Sequence, residues 1–286
     1  MKVGLIQIDG KMPNLALMKL AQWHRAKGDD ITVLDISNFS FDRIYGSKIF
    51  MGGSGYDLKQ KLPREIELQV PDYEKFNIDY SIGFTSRGCI RDCGFCIVKE
   101  KEGDFKDVDM SWIKHSKVIL LDNNFLASPK WKEKLQHFID NNLKISFNQG
   151  LDIRLITKEK AERLAKTKYY DLKFNTRRLY FAWDNIKDEE IVLRGIKILL
   201  DAGIKPYHLM FYVLVGFDTT FEQDYHRFEI LDKLGVKPFI MLYNRCKERK
   251  LRHFARWVNK LYYQLCKFED YKPYAKKGEA ENATKP

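Results

Sequence analysis

The sequence predicts an α/β protein whose parallel strands are covered by helices. Six short apolar runs between residues 80 and 243 each fit a buried strand, because they are nearly continuous rather than alternating in polarity. Helical patterns, such as those at residues 131–139 and 188–202, lie between these runs. Parallel strands need crossover connections of this kind, so the alternation favours a parallel sheet. The six predicted strands are residues 80–84, 118–121, 145–147, 179–183, 209–215 and 239–243.

A smaller strand–helix–strand pattern precedes these repeats and predicts a doubly wound, Rossmann-like subdomain at residues 1–60. Residues 3–8 form an apolar run that ends in a turn, and residues 31–34 form the next run. Between them, Asn14 is a suitable helix N-cap and Gly28 a suitable C-terminal stop. Further strands are expected at residues 44–45 and 49–51, followed by an ordinary glycine turn at residues 52–55.

The remaining boundaries follow from composition. Residues 61–77 have mixed charge, two prolines and weak periodicity, and we interpret them as a linker wrapped on the surface. Residues 78–245 form the main domain. Residues 246–286 are expected to form a basic C-terminal helix and a frayed polar tail.

Length, charge and cysteine content limit the class of protein. The chain has 286 residues, enough for one large domain and a small one. Its five cysteines, an odd number with three clustered, do not form a disulfide pattern, so we expect a reducing, cytoplasmic location. We find no signal peptide pattern and no apolar run of 18 residues, and therefore expect no membrane partner. The net charge of +11 favours a polyanionic partner, with nucleic acid or a nucleotide as a candidate substrate.

The strongest chemical signal is a loop that contains Cys89, Cys93 and Cys96, spaced Cys-x3-Cys-x2-Cys. Cubane iron–sulfur clusters are usually held by four thiolates, so three from one loop would leave one iron without a protein ligand. Such an iron could bind a substrate or cofactor. Gly88 and Gly94 would let the backbone fold closely around an inorganic core. The alternatives are a zinc site, which needs a fourth ligand that the loop lacks, and three unrelated thiols.

The order and spacing of these cysteines, with Phe95 directly before the last, resemble the radical S-adenosylmethionine superfamily. The resemblance covers about residues 78–245 and implies a partial (β/α)6 TIM-type barrel. It implies that Cys89, Cys93 and Cys96 hold a 4Fe-4S cluster whose open iron chelates S-adenosylmethionine. A one-electron reductant of the flavodoxin or ferredoxin type would then drive cleavage to a 5′-deoxyadenosyl radical, and Phe95 would flank the adenine.

The N-terminal piece resembles the cobalamin-binding domain that precedes the radical domain in one branch of that superfamily. There, a histidine in the loop after the first strand ligates cobalt. The corresponding loop here, residues 9–14, contains no histidine, and His24 lies on the following helix, where a surface or packing role is expected. We therefore expect a degenerate scaffold and consider bound cobalamin unlikely.

Polar residues follow the second and third main strands, where barrels of this kind carry their chemistry. Asp122 and Asn123 begin a string, residues 122–125, whose carboxylate and two amides could hold an ammonium group. The string is similar to one that a branch of the family has where other members bind the methionyl amino group. An Asx turn is the alternative there. Gln149 and Arg154 follow the third strand, where the family places contacts to the ribose and the methionyl carboxylate, and Asp152 could pair with Arg154 in a structural salt bridge.

The last three strands end in further candidates. Asp184, after the fourth strand, is a candidate ribose or substrate contact. Gly216, after the fifth, lies in a turn that resembles the family's adenine-binding turn, although Asp218 and the two threonines after it equally fit a helix N-cap. Residues 243–245, after the sixth, could line the substrate mouth.

The predicted C-terminal helix is amphipathic. It could close the open side of the barrel and turn its basic side towards an anionic substrate, or it could be a packed helix with a solvated face. Its apolar positions are Leu251, Phe254, Val258, Leu261, Tyr262 and Leu265.

The sequence therefore predicts a radical S-adenosylmethionine enzyme acting on an unidentified, candidate nucleic-acid or nucleotide, substrate. The alternative of a different class is a cluster-bearing binding or redox-sensing protein that does not cleave S-adenosylmethionine. A zinc-stabilised nucleic-acid-binding module is a third possibility.

Overall fold

A computed structural model describes residues 1–33, 40–48 and 63–273, which form a mixed α/β fold with mainly parallel sheets. The expected strand at residues 49–51, the glycine turn at 52–55 and the polar tail from residue 276 lie outside the described residues.

The N-terminal unit has three parallel strands and one helix. β1 (Lys2–Gln7) lies between β2 (Asp30–Val33) and β3 (Arg43–Ser47). α1 (Leu15–Arg25) connects β1 to β2, and its N-cap Asn14 accepts hydrogen bonds from the backbone N–H groups of residues 16 and 17. The strand–helix–strand prediction and the cap are confirmed.

The segment predicted as a surface linker contributes to the interior. Its short helix α2 (Arg64–Glu67) buries Ile66 with the core of the N-terminal unit. Tyr73 is 7% exposed and packs with Met18 of α1 and Ile82. The prediction of a surface linker is therefore wrong for residues 63–73. The few apolar residues of this segment show no periodicity, yet they are buried against the core.

The rest of the chain alternates strands and helices. The strands are β4 (Ser81–Gly83), β5 (Ser86–Arg87), β6 (Lys106–Asp107), β7 (Lys117–Leu120), β8 (Lys144–Phe147), β9 (Lys168–Tyr169), β10 (Leu179–Ala182), β11 (Leu209–Val215) and β12 (Lys237–Leu242). The helices are α3 (Val98–Glu102), α4 (Trp131–Asp140), α5 (Lys158–Lys166), α6 (Glu189–Asp201), α7 (Phe221–Lys233) and α8 (Arg249–Asn259).

All six predicted strands are present and run parallel. β4, β7 and β8 pair in that order, and so do β10, β11 and β12. A parallel bridge between Leu151 and Phe181 joins the chain after β8 to β10. The carboxyl ends of these strands therefore lie at one edge, and helices α4 to α7 cover an apolar core that includes Phe147, Phe181 and Phe211.

Two features were not predicted. β5 and β6 form a short antiparallel hairpin around the cysteine loop, and β9 pairs with the start of β8. Strands of two residues are too short for any periodicity to be visible.

The C-terminal helix is shorter than predicted. α8 ends at Asn259, and Leu261 adopts a left-handed conformation with φ of 61°. Leu251, Phe254 and Val258 are buried as expected, but Leu265 is 79% exposed. The apolar pattern beyond Asn259 does not continue the helix, so that part of the prediction is wrong. None of the helices in the described ranges has the length and apolar character needed to cross a membrane.

Candidate functional site

The cysteine loop lies between β5 and α3, next to the carboxyl ends of the parallel strands. Cys89 and Cys93 are half-buried, and Cys96 is exposed. A backbone hydrogen bond of 2.8 Å from the Cys96 N–H to the Cys93 carbonyl closes a tight turn. Gly88 has φ of +73°, and a Cβ there would collide with the backbone of residues 103 and 104, so the chain requires glycine before the first cysteine.

Glu102, at the end of α3, holds the start of this loop. One carboxylate oxygen accepts hydrogen bonds from the Gly88 N–H at 3.1 Å and from the Arg87 guanidinium at 3.1 Å. The same oxygen accepts a bond of 2.9 Å from Asn123 Nδ2. Asn123, predicted as a cofactor contact, thus braces the loop from the end of β7.

Asp122 binds the residues that lead into the cysteine loop. Its carboxylate is 3% exposed and accepts hydrogen bonds from the Thr85 N–H at 2.8 Å, the Thr85 hydroxyl at 2.6 Å and the Ser86 hydroxyl at 2.6 Å. Burial raises the pKa of this carboxyl, and the donors from Ser86 and Thr85 oppose that rise. Because both carboxylate oxygens are engaged by the strand that enters the loop, Asp122 is placed to position that strand.

Asp152 joins three parts of the site. It accepts hydrogen bonds from Arg91 in the cysteine loop at 3.1 Å, from Asn124 after β7 at 3.2 Å, and from Arg154 at 2.8 Å. Burial acts to raise the pKa of Asp152, but the guanidinium groups of Arg154 and Arg91 outweigh it and hold the pKa below its ordinary value. The predicted pairing of Asp152 with Arg154 is confirmed, and Arg154 also lies 3.3 Å from Asp188.

Asn124 directs a donor at a cysteine sulfur. Its Nδ2 lies 3.6 Å from Cys89 Sγ, and the Arg91 N–H lies 3.4 Å from the same atom. The side chain is buried, and its Oδ1 has no hydrogen-bond partner among the described residues. N–H donors that point at cysteine sulfur stabilise thiolates and tune iron–sulfur clusters. The sequence indicated Asn124 only as one of two amides after the second strand, and its contact with a cysteine sulfur was not predicted.

Aromatic residues connect the loop to the ends of β11 and β12. The Phe95 and Phe217 rings meet edge to face at 5.6 Å, and Phe217 meets Tyr243 at 4.8 Å. Gly216, directly before Phe217, has φ of +78°, and a Cβ there would lie 3.1 Å from Leu251 of α8. The positive φ and the close approach of Leu251 both explain why glycine stands at this turn.

Asp184 lies just after the end of β10, and the side chain of Arg227 in α7 reaches the ends of β10 and β11. Burial raises the pKa of Asp184 to about 6, with Arg227 and Arg154 acting in the opposite direction. Arg227 is 0% exposed and donates to the carbonyls of Trp183 at 2.5 Å and Leu214 at 2.8 Å, and to Asp224. It therefore fixes the backbone directly before Asp184 and two residues before Gly216. An arginine within a helical pattern looks like a surface residue, so no sequence signal indicates this role.

Some of the predicted site residues lie close to the cysteines, and others do not. Burial raises the pKa of the Cys93 thiol, while Arg154 lowers it and Cys96, Cys89 and Asp184 raise it further, which places these groups within electrostatic reach of each other. Gln149, in contrast, is exposed beyond the end of β8.

The residues of the cysteine loop match a metal centre in the kind of donor atoms that they offer. No group of three or more His, Cys, Asp or Glu side chains within residues 1–33, 40–48 and 63–273 is arranged to hold a metal ion. The loop nevertheless contains three cysteines, and N–H donors from Arg91 and Asn124 lie near Cys89 Sγ, which is the donor chemistry of an iron–sulfur site. The described part of the chain likewise contains no four-ligand set of the kind that a closed zinc site needs.

Comparison of the chain with protein-family models finds no match, and comparison with curated proteins finds no significant relative.

Proposed function

We propose that the protein is a radical S-adenosylmethionine enzyme that holds a 4Fe-4S cluster on Cys89, Cys93 and Cys96. The observation that carries this proposal is the placement of the three-cysteine loop. It follows the first of six parallel strands, and Asn124 and Asp152, from the ends of the next two strands, contact it directly. Ligands of α/β proteins bind at this edge of the sheet.

The proposal includes a partial (β/α)6 TIM-type barrel. The six main strands follow each other in chain order, all pairs are parallel, and the Leu151–Phe181 bridge connects the two halves. A continuous curved sheet of this kind would hold a cofactor at its carboxyl end.

In this proposal each group of residues has its own task. The cluster, when bound, supplies the electron for reductive cleavage of S-adenosylmethionine to a 5′-deoxyadenosyl radical. Arg154, oriented by Asp152, would bind the methionyl carboxylate by charge-assisted hydrogen bonds. Phe95 and the Gly216 turn would flank the adenine, and Asp184 would meet the ribose.

Asp122 has a different task from the one its position first indicates. Binding an ammonium group would require it to give up bonds to Thr85 or Ser86. We therefore assign it, with Asn123, to positioning of the cysteine loop. A one-electron reductant of the flavodoxin or ferredoxin type is the proposed partner, and cobalamin is not part of the proposal.

A second candidate function follows from the inward orientation of Asp122. A cluster-bearing binding or redox-sensing protein would need the cysteine loop but no residue to grip the methionyl amino group, and Asp122 faces inward. This candidate predicts that S-adenosylmethionine binds without being cleaved.

The test is anaerobic reconstitution with iron and sulfide, followed by S-adenosylmethionine, a strong reductant and measurement of 5′-deoxyadenosine. We expect production by the unmodified chain and by Cys266→Ala, a half-buried cysteine outside the loop, and none by Cys93→Ala. Cluster assembly without deoxyadenosine in any variant would favour the second candidate. Equal production by Cys93→Ala would rule out the proposed ligand set.

A further inference from the structure

Helix α8 carries a one-sided row of cations. Arg249, Arg252, Arg256 and Lys260 are exposed and lie three or four residues apart, which places them on one face over roughly 16 Å. Residues 249–260 contain five Lys and Arg and no Asp or Glu. Within the part of the chain that the structure describes, Arg252, Arg256 and Lys260 form no ion pair. These three side chains therefore carry positive charge that no ion pair among the described residues compensates.

The effect of this charge is visible at His253. Burial lowers the pKa of His253, and Arg249, Arg252 and Arg256 lower it further. Clustered cations of this kind attract polyanions and raise their local concentration.

An open cleft of about 600 Å³ adjoins the row. Its walls include half-buried Phe221 and Phe268, whose ring centroids are 5.4 Å apart. Lys250 lies over the Phe221 ring at 3.7 Å, and Glu269 contributes the one carboxylate among the cleft residues. Aromatic rings beside cations are the usual surface for stacking an unpaired base next to its phosphate.

The cleft and the Gly216 turn share the first turns of two helices. Leu251, in the first turn of α8, lies close to Gly216, and the neighbouring Arg249 and Lys250 line the cleft. Phe221, which also lines the cleft, begins α7 five residues after Gly216.

We propose that the macromolecular substrate is a single-stranded nucleic acid that binds along α8, with phosphates on Arg252, Arg256 and Lys260 and a base in the cleft against Phe268. The single strand is favoured over a duplex because a base must be unstacked to enter the cleft. It is favoured over an acidic protein because the cations and the aromatic cleft are contiguous. The role as substrate rests on the proposed function, whereas the binding does not.

The test is fluorescence anisotropy of labelled single-stranded RNA and DNA oligonucleotides with the full chain, without iron or S-adenosylmethionine. The variant Arg252→Glu/Arg256→Glu is compared with Lys166→Glu/Lys173→Glu, which makes the same charge change at exposed positions away from α8. We expect the α8 pair to weaken binding by about tenfold or more at low salt and to reduce the salt dependence by about 1.4 in log–log slope, and the control pair to change binding far less.

A third variant tests the cleft. Phe268→Leu keeps an apolar side chain but removes the ring, so binding should weaken by about fivefold or more and return in Phe268→Trp. If the α8 variant and the control variant lose the same amount of affinity, binding depends only on net charge, and the proposal is overturned. Competition by polyglutamate as strong as by unlabelled oligonucleotide would overturn it in favour of an acidic protein partner. Because no cluster is present, either failure leaves the proposed cluster chemistry standing.

Discussion

Asp152 is the side chain on which most of the site's contacts converge. It receives donors from Arg91, Asn124 and Arg154, and only 6% of its side chain is exposed. A neutral amide cannot accept from all three groups, because half of it is itself a donor. The charge of Asp152 therefore stabilises both the strand ends and the cysteine loop.

Asp152→Asn should lower the free energy of unfolding by about 1–3 kcal/mol, because Arg91 loses its carboxylate partner and Arg154 keeps only Asp188. Urea denaturation measures this change in the free energy of unfolding. The control Asp201→Asn removes a surface carboxylate paired with Lys197, and should cost less than about 0.5 kcal/mol. Equal effects of the two substitutions would mean that Asp152 does not organise the site.

The buried carboxyl of Asp184 should make the stability of the folded chain depend on pH. Its folded pKa of about 6 lies above its ordinary value of 3.8, so the folded state binds more protons than the unfolded state between these pH values. This carboxyl therefore contributes stability below about pH 4, and the contribution is lost as pH rises to about 6. Asp184→Asn, which stays neutral, should be more stable than the unmodified chain at pH 7.5 by about 1–3 kcal/mol.

The measurement is urea denaturation of both proteins from pH 4 to pH 8. The two curves should meet near pH 4 and separate as pH rises. A variant that is less stable at every pH would show that the charged carboxylate is stabilised in the fold, contrary to its buried setting.

Single residues were predictable where chemistry or spacing is local. The three cysteines are defined by their spacing, and Arg154 with Asp152 by a two-residue separation. Asn124 and Arg227 act across 28 to 44 residues of sequence, on Asp152 and on the Trp183 carbonyl, and no local pattern encodes such contacts. The same holds for Asp122, whose position was predicted but whose partners Thr85 and Ser86 were not.

The cysteine loop contains two glycines with different structural demands. Gly88 has a positive φ and no room for a Cβ, whereas a Cβ at Gly94 would meet only Phe217 at 3.5 Å, an ordinary contact. The two positions form a matched pair for testing the loop.

Gly88→Ala should destabilise the cluster-free protein by about 2–4 kcal/mol, because the left-handed conformation and the collision with residues 103 and 104 add up. Gly94→Ala should change the same free energy by less than about 0.5 kcal/mol. Thermal denaturation followed by circular dichroism distinguishes them. If both variants unfold at the same temperature as the unmodified chain, the conformation described for Gly88 is incorrect.

Helix α7 is tied to the sheet by a buried ion pair. Arg227 and Asp224 are both inaccessible, and Arg227 also binds the carbonyls that end β10 and β11. Removing one partner leaves the other charge buried without compensation.

Arg227→Ala should therefore cost about 3–5 kcal/mol of unfolding free energy. Arg194→Ala, at an exposed position of α6, is the control and should cost less than about 0.5 kcal/mol. Chemical denaturation gives both values, and a loss at Arg227 no larger than that at Arg194 would contradict the buried-pair description.

Secondary structure was predictable where a pattern is long. The six main strands coincide with the six apolar runs, and the cap at Thr220 forms the full capping box with Gln223 that starts α7. The prediction failed at α8, where Leu261 turns left-handed while the apolar spacing continues to Leu265. Periodicity records which residues are apolar, but not where the backbone leaves the helix.

The molecule as a whole gathers its candidate site from the parallel arrangement of its strands. Residues from six separate strand ends, which span the chain from Cys89 to Tyr243, come to one edge because every main strand runs the same way. The order of strands could be predicted from the alternation of strands and helices. The contacts of residues 63–73 with the interior could not, since few apolar residues fix that segment.

The most direct test of the central claim is the metal content and electron paramagnetic resonance spectrum of the anaerobically reconstituted protein. We expect about four irons and four sulfides per chain, and a reduced-state signal that changes when S-adenosylmethionine is added. Cys89→Ala, Cys93→Ala and Cys96→Ala should each lose that change, while Cys246→Ala should keep it. A chain that binds zinc instead of iron, or whose cluster survives loss of all three loop cysteines, would contradict the account.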